Sequence, residues 1–220
     1  MTFWRILEVL AEGAGFTILV TAASMGTGLL IGLAAAMLSR IRWRPVQHLL
    51  VAFTFVFRGV PVLVLLFIVF FGLPGIGIRV PPFLSMVLSL GLISGAYLAE
   101  IFRGAMNSVN RDEILAAEAM GMTRAQGFLY IMLPQMFRFS IPGMINEFTS
   151  ILKYSPFAYT VGIPEIMKQA MSLTPMILRG IEVYLAVGII YLIIYKVCLI
   201  FFMALEKRYR IPGLSANEMV

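Results

Sequence analysis

Apolar residues run in long stretches along this chain, and most charged residues fall in the short segments between them. A helix crosses the hydrocarbon layer of a bilayer with about 20 predominantly apolar residues. Five stretches approach that length, at about 15–38, 49–72, 83–102, 140–163 and 184–205. The first is rich in Gly, Ala, Ser and Thr, and Gly28 and Gly32 have the small-xxx-small spacing that lets a neighbouring helix come close. Such pairs also arise by chance, so a packing role for them stays open. Arg58, Gly59 and Pro61 interrupt the second stretch. The fourth holds Asn146, Glu147 and Lys153 and so cannot face lipid all round. The pattern predicts an all-α membrane protein of one domain, 1–220, with about five transmembrane helices.

Composition agrees with this reading: 60% of the 220 residues are hydrophobic and 13% charged. A soluble domain carries about a quarter charged residues. The net charge of +6 reads as membrane topology, with no nucleic-acid partner implied. With the N-terminus outside, the inner side holds Arg40, Arg42, Arg44, Arg103, Arg111, Arg124, Arg138, Lys207, Arg208 and Arg210. The outer side then holds only Arg5, Arg79, Lys168 and Arg179. The positive-inside bias therefore predicts N-out and C-in. The N-terminal segment has two acids and lacks the charged-then-apolar order of a cleavable signal peptide.

The inventory of reactive groups is short. One cysteine, Cys198, excludes a disulfide framework, and with one histidine, His48, it cannot build a zinc site. No serine sits in a nucleophile elbow and no Gly-rich run matches a phosphate loop. No catalytic residue, metal or cofactor is therefore expected in this chain. A membrane-embedded enzyme would need carboxylate pairs, a Ser/His set or metal ligands in helical register, and none is present.

The segment between the third and fourth stretches, about 107–134, is long and mixed in character. The sequence predicts a short helix over Ile114–Met120, capped by Asn110 or Asp112 and ended by Gly121. A second short helix is predicted from Thr123 to Leu133, stopping at Pro134. Two short helices meeting at a glycine make either a docking knob for a partner or an interfacial helix lying on the membrane.

The run Ala116-Ala117-x3-Gly121-x9-Ile131-x-Leu133-Pro134 resembles the signature loop of bacterial ABC importer permeases, which reads Glu-Ala-Ala, three residues, Gly, nine residues, Ile, one residue, Leu-Pro. Phe57-Arg58-Gly59-Val60-Pro61 is similar to that family's Phe-Arg-Gly-Thr-Pro. The run from Ser94 to Gly104, together with Asn146-Glu147-Phe148 and Lys153, resembles the polar amino acid uptake branch. Three departures stand out. Leu115 occupies the glutamate position, with Glu113 and Glu118 nearby. Val60 replaces the Thr. Tyr154-Ser155-Pro156 follows Lys153 where the branch commonly carries an acid, then Thr or Ser.

The resemblance implies a type I ABC importer permease in the bacterial cytoplasmic (inner) membrane, working by alternating access in the import of amino acids or related small polar solutes. It implies two copies of an ATP-binding cassette subunit, which carry the ATP and Mg. It also implies a second permease, identical or related, and a periplasmic or extracellular solute-binding protein. The loop residues Leu115, Ala116, Ala117, Glu118, Gly121, Ile131, Leu133 and Pro134 would seat on the ATPase. The competing reading is a membrane scaffold or assembly protein without a transport pathway, against which Lys153 in mid-span argues.

Asn146, Ser150 and Lys153 follow i, i+4, i+7 spacing and share one helix face, predicted to point into the bundle. With Glu147 and Tyr154 they are candidates for lining the solute path, structural hydrogen bonding being the other reading. Arg58, Glu100 and Arg103 are candidates for structural or gating roles, with snorkelling to the interface open for the last two.

Overall fold

The computed structural model describes residues 1–41 and 43–209. Arg42 and residues 210–220, with Arg210 of the basic C-terminal run, lie outside them. Among the described residues the order is α1 (Phe3–Ala11), α2 (Ala14–Leu38), α3 (Arg44–Gly59), α4 (Val62–Phe67), α5 (Pro82–Asn107), α6 (Arg111–Ala119), α7 (Arg124–Gly127), α8 (Leu133–Tyr154), α9 (Ile166–Ile177) and α10 (Gly180–Tyr209). Wide single turns at Ile68–Gly72 and Phe128–Met132 and tight turns at Leu73–Ile76 and Ser155–Val161 join some of them.

The centre of the molecule is the seam between α2 and α5. A Cβ placed on Gly28 would stand 1.9 Å from the Ser94 Oγ, and one on Gly32 would stand 2.6 Å from the Leu98 Cβ. The small-residue spacing read from the sequence is thus a close helix crossing. Around it Leu66, Met86, Leu90, Leu98, Phe102, Met136 and Ile151 form the main core. A second, separate cluster joins α1, α9 and α10 through Ile6, Leu10, Ile166, Ala170, Val183 and Ala186. At the start of α9 the fully buried Glu165 carboxylate accepts from the Met167 and Lys168 N–H groups at 2.8 Å each and from the Tyr191 hydroxyl at 2.9 Å.

Three stretches are long and apolar enough to cross a membrane: Phe3–Leu38, Pro82–Asn107 and Gly180–Ala204. The bent pair α3 and Val62–Ile76 makes a fourth if it is one span. The interruption read in the second stretch, 49–72, is a bend of 103° between α3 and Val62–Ile76. Pro61 has no N–H to continue the ladder and pushes Val60 into extended backbone, φ −83° and ψ 128°. α8, which carries Arg138, Glu147 and Lys153, falls short of the apolar threshold for a span.

Two further expectations change. Pro134 does not stop a helix: it occupies the first turn of α8, and the wide turn Phe128–Met132 before it accommodates the ring. The continuous helix expected over 140–163 ends at Tyr154, and the chain turns tightly through Ser155–Val161 to Gly162, at φ +89°. The missing N–H of Pro156 explains why the α-helix does not run on.

Candidate functional site

The loop between α5 and α8 is built by capping. The Asn110 side chain accepts from the Asp112 N–H at 3.0 Å and starts α6. At the other end the Gly121 N–H donates to the Glu118 carbonyl and the Met122 N–H to the Ala117 carbonyl, both at 3.0 Å. This double closure needs a left-handed residue, and Gly121 supplies it at φ +86°. Thr123 then opens α7 with a capping box: its hydroxyl accepts from the Gln126 N–H, while the Gln126 side chain accepts from the Thr123 N–H.

The result is a compact knob with one side turned outward. Ala117 is buried, whereas Leu115 is 50% and Met120 82% exposed, and Ala116 and Glu118 are exposed beside them. Ile131 and Leu133 are half-buried and Pro134 is exposed at the root of α8. Two contacts hold the knob to the helices. The Gln135 side chain donates to Glu113 at 2.5 Å. Arg40, at the end of α2, donates to the Met132 sulfur at 3.1 Å and stands 5.4 Å from the Phe128 ring centre. Gln135 and Arg40 have no signal in the sequence, because their partners lie 22 and 92 residues away.

The polar face of α8 does not point into this chain's own interior. Asn146, Lys153 and Tyr154 are exposed and Ser150 is half-buried, donating to the Asn146 carbonyl at 3.0 Å. Glu147, on the other side of the helix, is buried. The Lys153 ammonium stands 5.7 Å from the Tyr195 ring centre of α10, and Tyr154 stacks on Phe157 with planes 11° apart. The core seam already fills the inside of α8 with Met136, Ile151 and Leu152, so the polar stripe is left on the outer surface of the single chain.

Arg58 ends α3 with its guanidinium 5.1 Å from the Tyr97 ring centre. One turn along α5, Glu100 and Arg103 form an ion pair. Both line a cavity of about 200 Å³ between α2, α3 and α5, with Ser39, Gln47 and Thr54.

The family described as binding-protein-dependent transport system inner membrane component matches residues 28–211. This chain belongs to that family. It is 30% identical over 210 residues to the glutamine transport system permease protein GlnP of Escherichia coli, covering 94% of this chain and 96% of that protein. It is 34% identical over 208 residues to the probable amino-acid permease protein YxeN of Bacillus subtilis, covering 91% and 93%. A crystal structure of an amino acid ABC transporter with histidines superposes with a TM-score of 0.87 at 27% identity, over 94% of this chain and 99% of that one. An inward-facing methionine ABC transporter MetNI shares the fold, with a TM-score of 0.76 at 17% identity over 94% and 99%. Membership makes the chain a multi-pass membrane transport subunit, not a catalytic one. Its working partners are an ABC ATPase and a solute-binding protein.

Proposed function

We propose that this chain moves amino acids or related small polar solutes inward across the bacterial cytoplasmic membrane by alternating access, with the N-terminus outside and the C-terminus inside. The ATPase subunits, two per complex, bind and hydrolyse ATP with Mg. They seat on the knob from Arg111 to Pro134, and their closure swings α8 and α2 through the Gln135–Glu113 and Arg40–Met132 contacts. Leu115 replaces a polar contact by an apolar one in that seat.

The observation that carries the reading is the pairing of a capped, outward-facing knob with a polar stripe left on the outer surface of α8. Asn146, Ser150, Lys153 and Tyr154 lie on a helix that cannot face lipid on that side. A second permease, identical or related, covers the stripe, and the solute path runs between the two. Lys153 near the end of α8 then meets a carboxylate-bearing solute at the outer mouth. The amino-acid class rests on the relatives, which are named for glutamine and amino acids.

The test is co-purification in mild detergent from the native host. An ABC ATPase and a second permease should come down with the tagged chain, and no ATPase should come down with a Gly121→Asp chain that still inserts. Recovery of the chain alone, or with the ATPase unaffected by the substitution, would remove the docking assignment.

A further inference from the structure

Glu165 is a fully buried carboxylate that enters no ion pair among the described residues, where the pairs are Arg5–Glu8, Arg103–Glu100 and Arg179–Glu182. Hydrogen bonds alone hold it. One oxygen accepts from the Met167 N–H and the Tyr191 hydroxyl, the other from the Lys168 N–H. Burying a charge in this way is costly, and an apolar side chain would serve packing alone better.

Three further segments close on the same point. The Tyr191 phenol of α10 also faces the Thr17 hydroxyl of α2 and the Ser155 hydroxyl just past α8. Thr17 and Ser155 are as fully buried as Glu165. The Thr17 hydroxyl accepts from the Ile166 N–H at 3.5 Å and donates to the Gly13 carbonyl at 3.3 Å. At Gly13 the two backbones come so close that a Cβ would stand 2.5 Å from the Ile166 nitrogen. One enclosed polar node thus ties together α2, α9, α10 and the turn Ser155–Val161.

The node lies far from the knob. Thr17 and Leu38 are 21 residues apart on α2, about 31 Å at 1.5 Å per residue. Arg40, just past Leu38, contacts the knob. The node and α9 are therefore at the opposite end of the molecule, where a solute-binding protein arrives if the ATPase seats on the knob. α9 keeps Ile166, Ala170 and Leu173 buried and turns Met171 and Met176 outward. Ser155, on the inner edge of the node, directly follows Lys153 and Tyr154.

We propose that the Glu165–Tyr191 node is a coupling latch, which passes a displacement of α9 by the solute-binding protein to the turn behind Lys153 and Tyr154. The proposal rests on the transport reading above. Hydrogen bonds are directional, so the node admits few arrangements and the segments it joins shift together.

The experiment uses the whole complex, with its ATPase subunits, second permease and binding protein, in proteoliposomes. ATP hydrolysis is measured without binding protein and with binding protein loaded from a mixture of L-amino acids. Tyr191→Phe removes one hydroxyl. It should cut the increment due to loaded binding protein about tenfold, the loss of a hydrogen bond to a charged group, and leave the basal rate within about twofold of wild type. Glu165→Gln, which keeps the shape of the side chain, should lower the increment in the same way. An increment for Tyr191→Phe within about twofold of wild type would overturn the proposal. So would a basal rate and a thermal midpoint that fall in step with the increment, since the node would then serve only the fold. If loaded binding protein gives the wild-type complex no increment, the transport reading falls and the latch with it, whereas a normal wild-type increment that the variants keep overturns the latch alone.

Discussion

Gly121 shows how much of the Arg111–Pro134 knob depends on one backbone angle. At φ +86° a residue with a side chain costs about 1–2 kcal/mol, and that position closes α6 and sets the direction of α7. No neighbouring atom lies within 4 Å of where its Cβ would stand, so the constraint is conformational and not steric. Gly121→Ala should therefore weaken ATPase association only in part, while Gly121→Asp, which also adds a charge at the proposed seat, should abolish it; a pull-down series with both variants separates the two effects. Lys153 argues at the same scale. It touches Tyr195 and, among the described residues, forms no ion pair. Lys153→Met should lower amino-acid uptake by about tenfold if it meets a solute carboxylate. Wild-type uptake with unchanged solute preference would show that it only snorkels along the tyrosine. Both glycine and lysine were legible in the sequence; the carbonyls closed at Gly121 are local, but Tyr195 was not legible because folding brings it to Lys153.

At the scale of elements, the α2–α5 seam is the feature most resistant to change. Gly32 approaches the Leu98 side chain and the Gly95 and Ala99 backbone, and a larger residue would force the helices apart. Gly32→Leu should destabilise the fold by about 1–3 kcal/mol, the cost of overpacking a tight interface, measured as a lower midpoint in a thermal melt of the detergent-purified complex. Gly26, with open space around it, is the control that should not move the midpoint on substitution by Ala. The bounds of α2 followed from composition because nothing interrupts the apolar run between Ala14 and Leu38. The break in α3 was marked by Arg58, Gly59 and Pro61 as an interruption, but its angle depends on packing of Val62, Leu65 and Leu66 into the core. α1 and α9 are amphipathic but short, so they fell outside the long apolar stretches; they are held by one another and by α10, a contact that spans most of the chain.

The whole molecule is two packed groups that meet along α8 and α10, where Phe148 packs against Phe202 and Lys153 against Tyr195. The main core holds α2, α4, α5 and α8, and the second ties α1 and α9 to α10. The charge pattern predicts how this body sits in the membrane: a reporter fused after Tyr209 should read cytoplasmic and one inserted near Arg79 external. An external C-terminus would overturn the five-span N-out arrangement. At this scale the sequence conveyed the class through its apolar content and its signature loop, whereas the outward direction of the α8 stripe appeared only in three dimensions. In the proposed function a single chain has too few helices to enclose a path, and the polar stripe on its surface would meet a second permease. The measurement that tests the account most directly is ATP-dependent accumulation of labelled amino acids by the complete complex in proteoliposomes, with ATP supplied on the side of the Arg111–Pro134 knob and loaded binding protein on the opposite side. The account predicts uphill accumulation that needs both, in that orientation. Accumulation without ATP, or with ATP and binding protein on the same side, would contradict it.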